Sequence, residues 1–289
     1  MLNKFLQKTE EQLVKNCDLY FYEDSEVNKA ARYSLLNAGK RVRAMFIYLT
    51  AQMCGMNWEK YADFACGVEM VHCYSLIHDD LPCMDNDDLR RGKPSCHKAF
   101  SEDTALLAGD ALLGCGIETV ANSADFEPLE SLKAVQLMCA AMGPKGMIYG
   151  QELDLRFEKE AANKEQLALI HRNKTGQLIS LCGKLGSIGA ELTESQKKAI
   201  EVFFANAGLV FQIVDDILDV ESSEEELGKP IGSDAENGKS TFITLYGLEE
   251  SKRKVEQLTK EANELLYTEF GEKAAFIIEY TSKLANRRK

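Results

Sequence analysis

Two short segments concentrate aspartates in a pattern that suits metal-assisted chemistry on phosphates. Residues 79–85 read Asp-Asp-Leu-Pro-Cys-Met-Asp, and residues 215–219 read Asp-Asp-Ile-Leu-Asp. Carboxylates this close together repel one another and lose hydration when they are partly buried, so they persist where cations neutralise them. Neither segment carries an accompanying set of His and Cys residues. Oxygen ligands alone favour a hard ion, and Mg²⁺ is the natural choice beside phosphates.

The second segment fits one face of a helix. At ~100° per residue, Gln212, Asp215, Asp216 and Asp219 fall within an arc of about 100°. This arc borders an apolar stripe with spacings of three and four residues, which runs from Ile200 to Leu218. The pattern predicts a helix that presents its carboxylates at the edge of a buried face.

The first segment follows another apolar helix pattern, and Pro82 is expected to end or kink that helix just beyond Asp79 and Asp80. In a straight helix Asp85 would lie about 240° away from Asp79. The break is therefore what brings Asp85 round to the other two carboxylates. His72 shares a helix face with Asp79, and the residues alone leave its role open between core packing and binding.

Basic residues are the natural partners of an anionic substrate at these carboxylates. Arg grips a diphosphate through two parallel hydrogen bonds, whereas Lys acts as a point charge. Each such residue, taken singly, fits a solvated side chain, but several adjoin glycine-containing breaks or the aspartates. Two long connections, residues 85–98 and 221–240, have the composition of functional loops. The candidates are Lys40, Arg43, Arg90, Arg91, Lys174, Lys229 and Lys239.

The composition excludes several classes of protein. A formal net charge of -12 over 289 residues disfavours nucleic-acid binding. Nine cysteines without a Cys-x-x-Cys pair, and a beginning without an apolar leader, are typical of a reducing cytosol, so we expect a cytoplasmic protein. No uncharged apolar run approaches the roughly 18 residues of a membrane span, so we expect no integral membrane association.

The positions of the prolines favour long helices. Only five prolines occur, and residues 1–81 and 145–229 contain none. Helical periodicity recurs from Val255 to Leu266, and no convincing series of alternating strand segments is present. The sequence predicts an all-α, single-domain bundle of roughly ten helices over residues 1–289.

A family resemblance rests on several motifs that occur in family order. From about residue 38 to 245, the chain resembles the short-chain trans-prenyl diphosphate synthases, and within them the bacterial-type farnesyl diphosphate synthases. The matching motifs are Gly-Lys-Arg-Val-Arg (39–43), the run from His72 to Asp85, Asp-Leu-Arg-Arg-Gly (88–92), Leu-Ala-Gly-Asp (107–110), Gly-Gln-Glu-Leu-Asp (150–154), Lys-Thr-Gly (174–176), the run from Phe211 to Asp219, and Gly-Lys-Ser-Thr (238–241).

The resemblance implies a homodimer of helical bundles, each with a central cavity, that joins isopentenyl diphosphate head to tail to allylic diphosphates. It implies about three Mg²⁺ ions per active site. The implied metal residues are Asp79, Asp80, Asp85 and Asp215, with Asp216 and Asp219 in support. The implied residues for the allylic diphosphate are Arg90, Lys174, Lys229 and Lys239. The implied residues for isopentenyl diphosphate are Lys40, Arg43, His72 and Arg91. Thr175 and Gln212 are implied to face the reacting carbons.

The expected product is farnesyl diphosphate, formed from dimethylallyl and then geranyl diphosphate. In the family, residues four and five positions before the first aspartate motif help to set the floor of the cavity. Here they are Ser75 and Tyr74. Five residues descend about 7.5 Å along a helix, and a phenol ring at that depth blocks further growth. The alternative for Tyr74 is simple packing against a neighbouring helix.

The sequence leaves three alternative functions. Geranylgeranyl diphosphate synthesis is the main alternative, because synthases of that longer chain also carry the Leu-Pro-Cys-Met insertion. A terpene cyclase has a mixed second metal motif and no need for Lys40, Arg43 and His72. A non-catalytic regulatory subunit tends to lose one aspartate motif, and both motifs are intact here.

Overall fold

The computed structural model describes residues 1–37, 39–157, 160–221 and 240–286, and these ranges are built almost entirely of α-helices. The all-α prediction is confirmed. The chain divides into two compact units. The first comprises residues 1–51 and 57–138, and the second comprises residues 52–56 and 139–289. A single domain over residues 1–289 stays a prediction.

The helices follow one another with short connections. Up to residue 142 they are α1 (Leu2–Tyr20), α2 (Glu26–Leu35), α3 (Val42–Met53), α4 (Ala62–Asp79), α5 (Cys96–Ala99), α6 (Glu102–Ala121) and α7 (Pro128–Met142). After it they are α8 (Met147–Phe157), α9 (Lys164–His171), α10 (Gln177–Gly186), α11 (Glu194–Glu221), α12 (Phe242–Tyr246), α13 (Leu248–Phe270) and α14 (Ala275–Ala285). Single 3₁₀ turns occupy Trp58–Tyr61 and Gly271–Ala274, and a π-helical turn occupies Arg172–Gly176.

The core of the first unit is the pair α4 and α6. Helix α4 is apolar nearly all round, which is the pattern of a buried helix. The two helices approach closely at Gly67 and Gly116, where a Cβ on Gly67 would lie 2.7 Å from the carbonyl oxygen of Gly116. This close packing fixes the helix that ends at Asp79.

Helix α6 is long and apolar enough to pass for a membrane span by length and composition alone. Its buried residues include Ala108, Leu112 and Val120, and it packs along α4. The core helix of a globular unit passes the same test, so this single helix is weak evidence for a membrane.

A two-residue hairpin stands in the connection that the sequence analysis treated as a loop. Strand β1 (Leu89–Arg90) pairs antiparallel with β2 (Lys93–Pro94). The turn residues, Arg91 and Gly92, both have positive φ, at 54° and 74°. Positive φ at both central positions is the signature of a type I′ turn, which matches the twist of a tight hairpin.

The second unit is organised around α11, which packs against α13 and α10. The predicted apolar stripe is confirmed, because Ile200, Phe203 and Val214 are buried. On α13, Val255, Leu258, Ala262 and Leu266 are buried as the periodicity predicts. The last turns of α11 carry the second aspartate segment.

Candidate functional site

The first aspartate segment begins where α4 ends. The helix stops at Asp79, and Pro82 follows in a turn, as the sequence predicts. The backbone N–H of Asp85 donates to the carbonyl oxygen of Asp79 at 2.9 Å. The break therefore returns the chain on itself and brings the backbone of Asp85 back to the end of the helix.

Arg90 binds the second carboxylate of this segment. Its Nε lies 2.9 Å from Oδ1 and 3.2 Å from Oδ2 of Asp80, and Nη2 also bonds Asp80. Asp80 is only 2% exposed, and burial raises the pKa of its carboxyl, although Arg90 offsets part of this rise. The family resemblance implies a metal role for Asp80 and a diphosphate role for Arg90. In this structure the two side chains hold each other.

Three members of the predicted isopentenyl diphosphate set come together in the first unit. The guanidinium of Arg91 donates to Asn37 O at 3.2 Å and lies against Gly39, where a Cβ would come within 2.8 Å of Nη1. Burial, assisted by the charges of Arg43 and Arg91, lowers the pKa of His72 well below its usual range. Neutral His72 therefore sits in a positive field that suits an anion. Lys40, next to Gly39 in the chain, is exposed.

Arg41 is a residue of this region that sequence reasoning passed over. It is buried, has a φ of 46°, and donates to Glu10 at 2.7 Å and to Leu35 O at 2.7 Å. The Nη1 of Arg41 lies 3.7 Å from Glu69, whose other oxygen accepts the backbone N–H of Ala44 at 3.1 Å. Arg41 thus anchors the segment that carries Lys40 and Arg43. No pattern in the sequence distinguishes it from those two.

Positive φ is concentrated around these residues. In the part of the chain that the structure describes, the non-glycine residues with positive φ are Arg41, Asn86 and Arg91. Each is next to or within a predicted binding segment. Such conformations cost about 1–3 kcal/mol and tend to occur at functional sites.

The second aspartate segment presents its members differently along α11. Asp215 is exposed, Gln212 and Asp216 are half-buried, and Asp219 is buried. The Oδ2 of Asp216 accepts the backbone N–H of Phe242, the first residue of α12, at 2.7 Å. This contact ties the acidic face of α11 to the residue where α12 begins.

The π-helical turn Arg172–Gly176 carries the predicted Lys174 and Thr175. It fits against two glycines. A Cβ on Gly150 of α8 would lie 2.1 Å from the backbone nitrogen of Lys174, and one on Gly208 of α11 would lie 3.0 Å from Gly176 Cα. Single π turns inside helices are rare and occur frequently at functional sites.

Asp154 holds Lys174 in place. The Nζ of Lys174 lies 2.6 Å from Oδ2 of Asp154, and both side chains are largely shielded. Asp154 closes the Gly-Gln-Glu-Leu-Asp motif at 150–154, so the motif was visible in the sequence, but its role as the partner of Lys174 was missed. The buried His171 directly precedes the π turn. It belongs to no motif, so the sequence did not point to it as a functional residue.

The predicted chain-length residues lie in the last turns of α4. Tyr74 is buried, and its ring meets the edge of His78 at a centroid distance of 5.6 Å. The hydroxyl of Ser75 donates to His72 O at 2.8 Å. Their effect on product length stays a prediction. Lys229 and Lys239 lie outside the described residues, as does most of the 221–240 connection.

Among the described residues, no group of three or more His, Cys, Asp or Glu side chains is arranged to hold a metal ion without other ligands. Mg²⁺ does not need such a cage, because it keeps several waters and is usually held by one or two carboxylates plus substrate phosphates. The carboxylates of Asp79 and Asp85 in the first unit, and of Asp215 in the second, are donors of this kind. The donor chemistry therefore fits Mg²⁺.

The family profile described as polyprenyl synthetase matches residues 24–274. The chain belongs to the polyprenyl synthetase family, and its class is that of prenyltransferases that elongate prenyl chains.

Individual relatives refine this placement. The chain is 44% identical over 270 residues to geranylgeranyl pyrophosphate synthase 3, chloroplastic, of Arabidopsis thaliana, covering 92% of this chain and 75% of that protein. It is 41% identical over 268 residues to farnesyl diphosphate synthase of Micrococcus luteus, covering 93% and 91%. The chain is also 33% identical, with a TM-score of 0.83, to the solved structure of geranyltransferase from Helicobacter pylori complexed with magnesium and isoprenyl diphosphate. The match covers 99% of this chain and 96% of that one.

Proposed function

We propose that this chain is a Mg²⁺-dependent farnesyl diphosphate synthase, which condenses isopentenyl diphosphate with dimethylallyl diphosphate and then with geranyl diphosphate. The observation that carries the proposal is that each of the two units contains a predicted diphosphate-binding cation held by a carboxylate. Arg90 is held by Asp80, and Lys174 is held by Asp154. Cations held in this way suit a diphosphate leaving group, which has to be bound and stabilised as negative charge develops.

Asp79, Asp85 and Asp215 are the residues that we propose to hold Mg²⁺, with Asp80 and Asp219 in support. Carboxylate oxygens are the ligands that this ion prefers beside phosphates. Bound Mg²⁺ supplies positive charge that stabilises the departing diphosphate. The solved relative from Helicobacter pylori, which contains magnesium and an isoprenyl diphosphate, supports this assignment.

The chain's own residues then perform distinct tasks. Arg90 and Lys174 bind the allylic diphosphate, and Lys229 and Lys239 are proposed to join them. Thr175 and Gln212 present polar atoms to the allylic cation that forms when the bond to the diphosphate breaks.

The second substrate completes the reaction. Lys40, Arg43, His72 and Arg91 bind the diphosphate of isopentenyl diphosphate, whose double bond attacks the allylic cation. A proton then leaves, and the departing diphosphate takes it up. Neutral His72 donates a hydrogen bond to an anion without adding a charge that must be removed.

The fifteen-carbon product rests on Tyr74, whose buried ring lies one and a half turns before the first aspartates. The second candidate is geranylgeranyl diphosphate synthesis, which the identity of 44% to the Arabidopsis enzyme favours. Product length after incubation with isopentenyl diphosphate and each allylic primer, read by mass spectrometry, decides between them. Tyr74→Ala is expected to shift the product from fifteen to twenty or more carbons, and a mutant that still stops at fifteen would place the floor elsewhere.

We also propose a cytoplasmic homodimer. Large apolar side chains are exposed on the isolated chain along α6 and α7, among them Leu107 at 54% and Leu129 at 78%. Exposed apolar surface of this kind is typical of an interface between protein chains. Light scattering of the purified protein at micromolar concentration tests this, with twice the chain mass of 32.3 kDa expected.

A further inference from the structure

Asp216 links helix α11 to the start of helix α12. Its Oδ2 accepts the backbone N–H of Phe242 at 2.7 Å. Phe242 is the first residue of α12, and the first N–H groups of a helix lack acceptors within the helix itself. A capping box between Thr241 and Thr244 serves other groups of the same turn. The carboxylate of α11 therefore helps to fix where α12 begins.

The side chain of Phe242 extends this link. The ring is 6% exposed and stacks on His171, with centroids 5.8 Å apart and an interplanar angle of 18°. It also stacks on Tyr246, with centroids 4.7 Å apart. It also belongs to the apolar cluster that contains Leu167 of α9 and Val214 of α11. A residue held both through its backbone and through its ring has little freedom to move.

His171 connects this ring to the turn that carries Lys174. It is the last residue of α9, and the π turn follows directly. Burial lowers the pKa of His171 to about 4, with Asp154 and Lys174 as the charged neighbours that act on it. At neutral pH the imidazole is therefore an uncharged ring that packs between Phe242 and the start of the π turn.

We propose that Asp216 is a positioning residue. It holds the backbone of Phe242, and through the stacking of Phe242 on His171 it holds the turn Arg172–Gly176 in which Lys174 meets Asp154. This assignment differs from the metal-supporting role that the resemblance implies for Asp216. It rests on the proposed function only in taking Lys174 as a group that binds the allylic diphosphate.

Four variants separate positioning from metal support. Asp216→Asn keeps an oxygen that accepts the N–H of Phe242, Asp216→Ala removes it, and Asp215→Asn changes the neighbouring carboxylate that is proposed to hold Mg²⁺. Phe242→Leu removes the ring and keeps the backbone N–H. Circular dichroism of each variant checks that the helices remain.

The first measurement is amide hydrogen exchange in the full chain without substrate or metal, so it is independent of turnover. We expect exchange at Phe242 to become about tenfold faster in Asp216→Ala, since a charge-assisted hydrogen bond is lost, and to stay within about threefold of the parent in Asp216→Asn. Segment 171–176 should exchange faster in Asp216→Ala and in Phe242→Leu. Unchanged exchange at Phe242 in Asp216→Ala, or an unchanged 171–176 segment in both variants, overturns the proposal.

The second measurement is the Mg²⁺ concentration for half-maximal turnover. Asp215→Asn should raise it, while Asp216→Ala should instead raise the KM for the allylic diphosphate, with Asp216→Asn recovering most of that loss. If Asp216→Asn shifts the Mg²⁺ requirement as much as Asp215→Asn does, Asp216 acts at the metal and the positioning role is wrong. If no variant or parent turns over, the proposed function fails, and the exchange data still decide the positioning role.

Discussion

Each of the two aspartate-rich regions contains two adjacent aspartates. The second aspartate of the pair is bound differently in each region. In the first region Asp80 is bound by the side chain of Arg90, and in the second Asp216 is bound by the backbone N–H of Phe242. A side-chain partner is exchangeable, because an anion that binds the guanidinium competes with Asp80 for it. A backbone partner is fixed by the fold. The first region is therefore suited to rearrange when substrate binds, and the second to keep its form.

The largest expected effect tests what the two regions have in common. Asp79→Ala and Asp215→Ala should each lower kcat about a thousand-fold or more, because each removes a carboxylate proposed to hold Mg²⁺. Asp24→Ala, at an exposed position outside both segments, is the control and should stay near the parent value. A loss below tenfold at either Asp79 or Asp215 would contradict a shared role in metal binding.

The next prediction separates the two proposed substrate sites. Lys40→Ala or Arg43→Ala should raise the KM for isopentenyl diphosphate by about ten- to a hundred-fold, since each removes a charged hydrogen-bond donor. Lys174→Ala should leave that KM nearly unchanged and weaken use of the allylic diphosphate. Initial rates with each substrate varied in turn give both constants. If every variant changed the KM of both substrates equally, the proposed division into two substrate sites would be wrong.

A smaller effect is expected from the packing that supports Lys174. Gly150→Ala places a Cβ 2.1 Å from the backbone nitrogen of Lys174, so the π turn has to shift. We expect a loss of about 1–3 kcal/mol in the free energy of unfolding, as for other overpacked sites, measured by urea denaturation. Gly114→Ala in α6 is the matched control, because nothing lies within 4 Å of its Cβ. It should be neutral or slightly stabilising, and equal losses in both variants would argue against tight packing at the turn.

The smallest expected effect concerns the buried imidazole of the second region. The pKa of His171 is lowered to about 4 in the folded chain, whereas an unfolded His titrates near 6.5. Between these values the unfolded state binds more protons, so the free energy of unfolding falls as pH drops from 6.5 towards 4. His171→Gln should remove about 1–2 kcal/mol of the difference in stability between pH 7 and pH 5. An identical pH slope in parent and variant would contradict a neutral buried His171.

The features that the sequence predicted are those that depend on hydrophobic periodicity and on residues that end a helix. Most of the stripe from Ile200 to Leu218 is buried, because a 3.6-residue period places it on one face. The end of α4 at Asp79 follows from Pro82, which cannot continue a helix. Both aspartate segments were therefore placed correctly on their helices before any contact was known.

Other features depend on contacts between residues distant in the chain, and the sequence does not encode these in a readable pattern. The pairing of Asp154 with Lys174 needs α8 to pack on the π turn, and the bond from Phe242 to Asp216 spans 26 residues. The turn at Arg172–Gly176 has no signature of its own, since its backbone is determined by the close approach of Gly150 and Gly208. In the sequence, Arg41 could not be distinguished from the charged residues beside it, Lys40 and Arg43.

The most direct test of the account is the reaction of the purified chain alone with isopentenyl and dimethylallyl diphosphate. With Mg²⁺ present, we expect farnesyl diphosphate as the main product by mass spectrometry. EDTA should abolish its formation, and added Mg²⁺ should restore it, because the carboxylates of both regions are proposed to act through the ion. Full turnover in metal-free buffer, or no condensation product with Mg²⁺ present, would contradict the account.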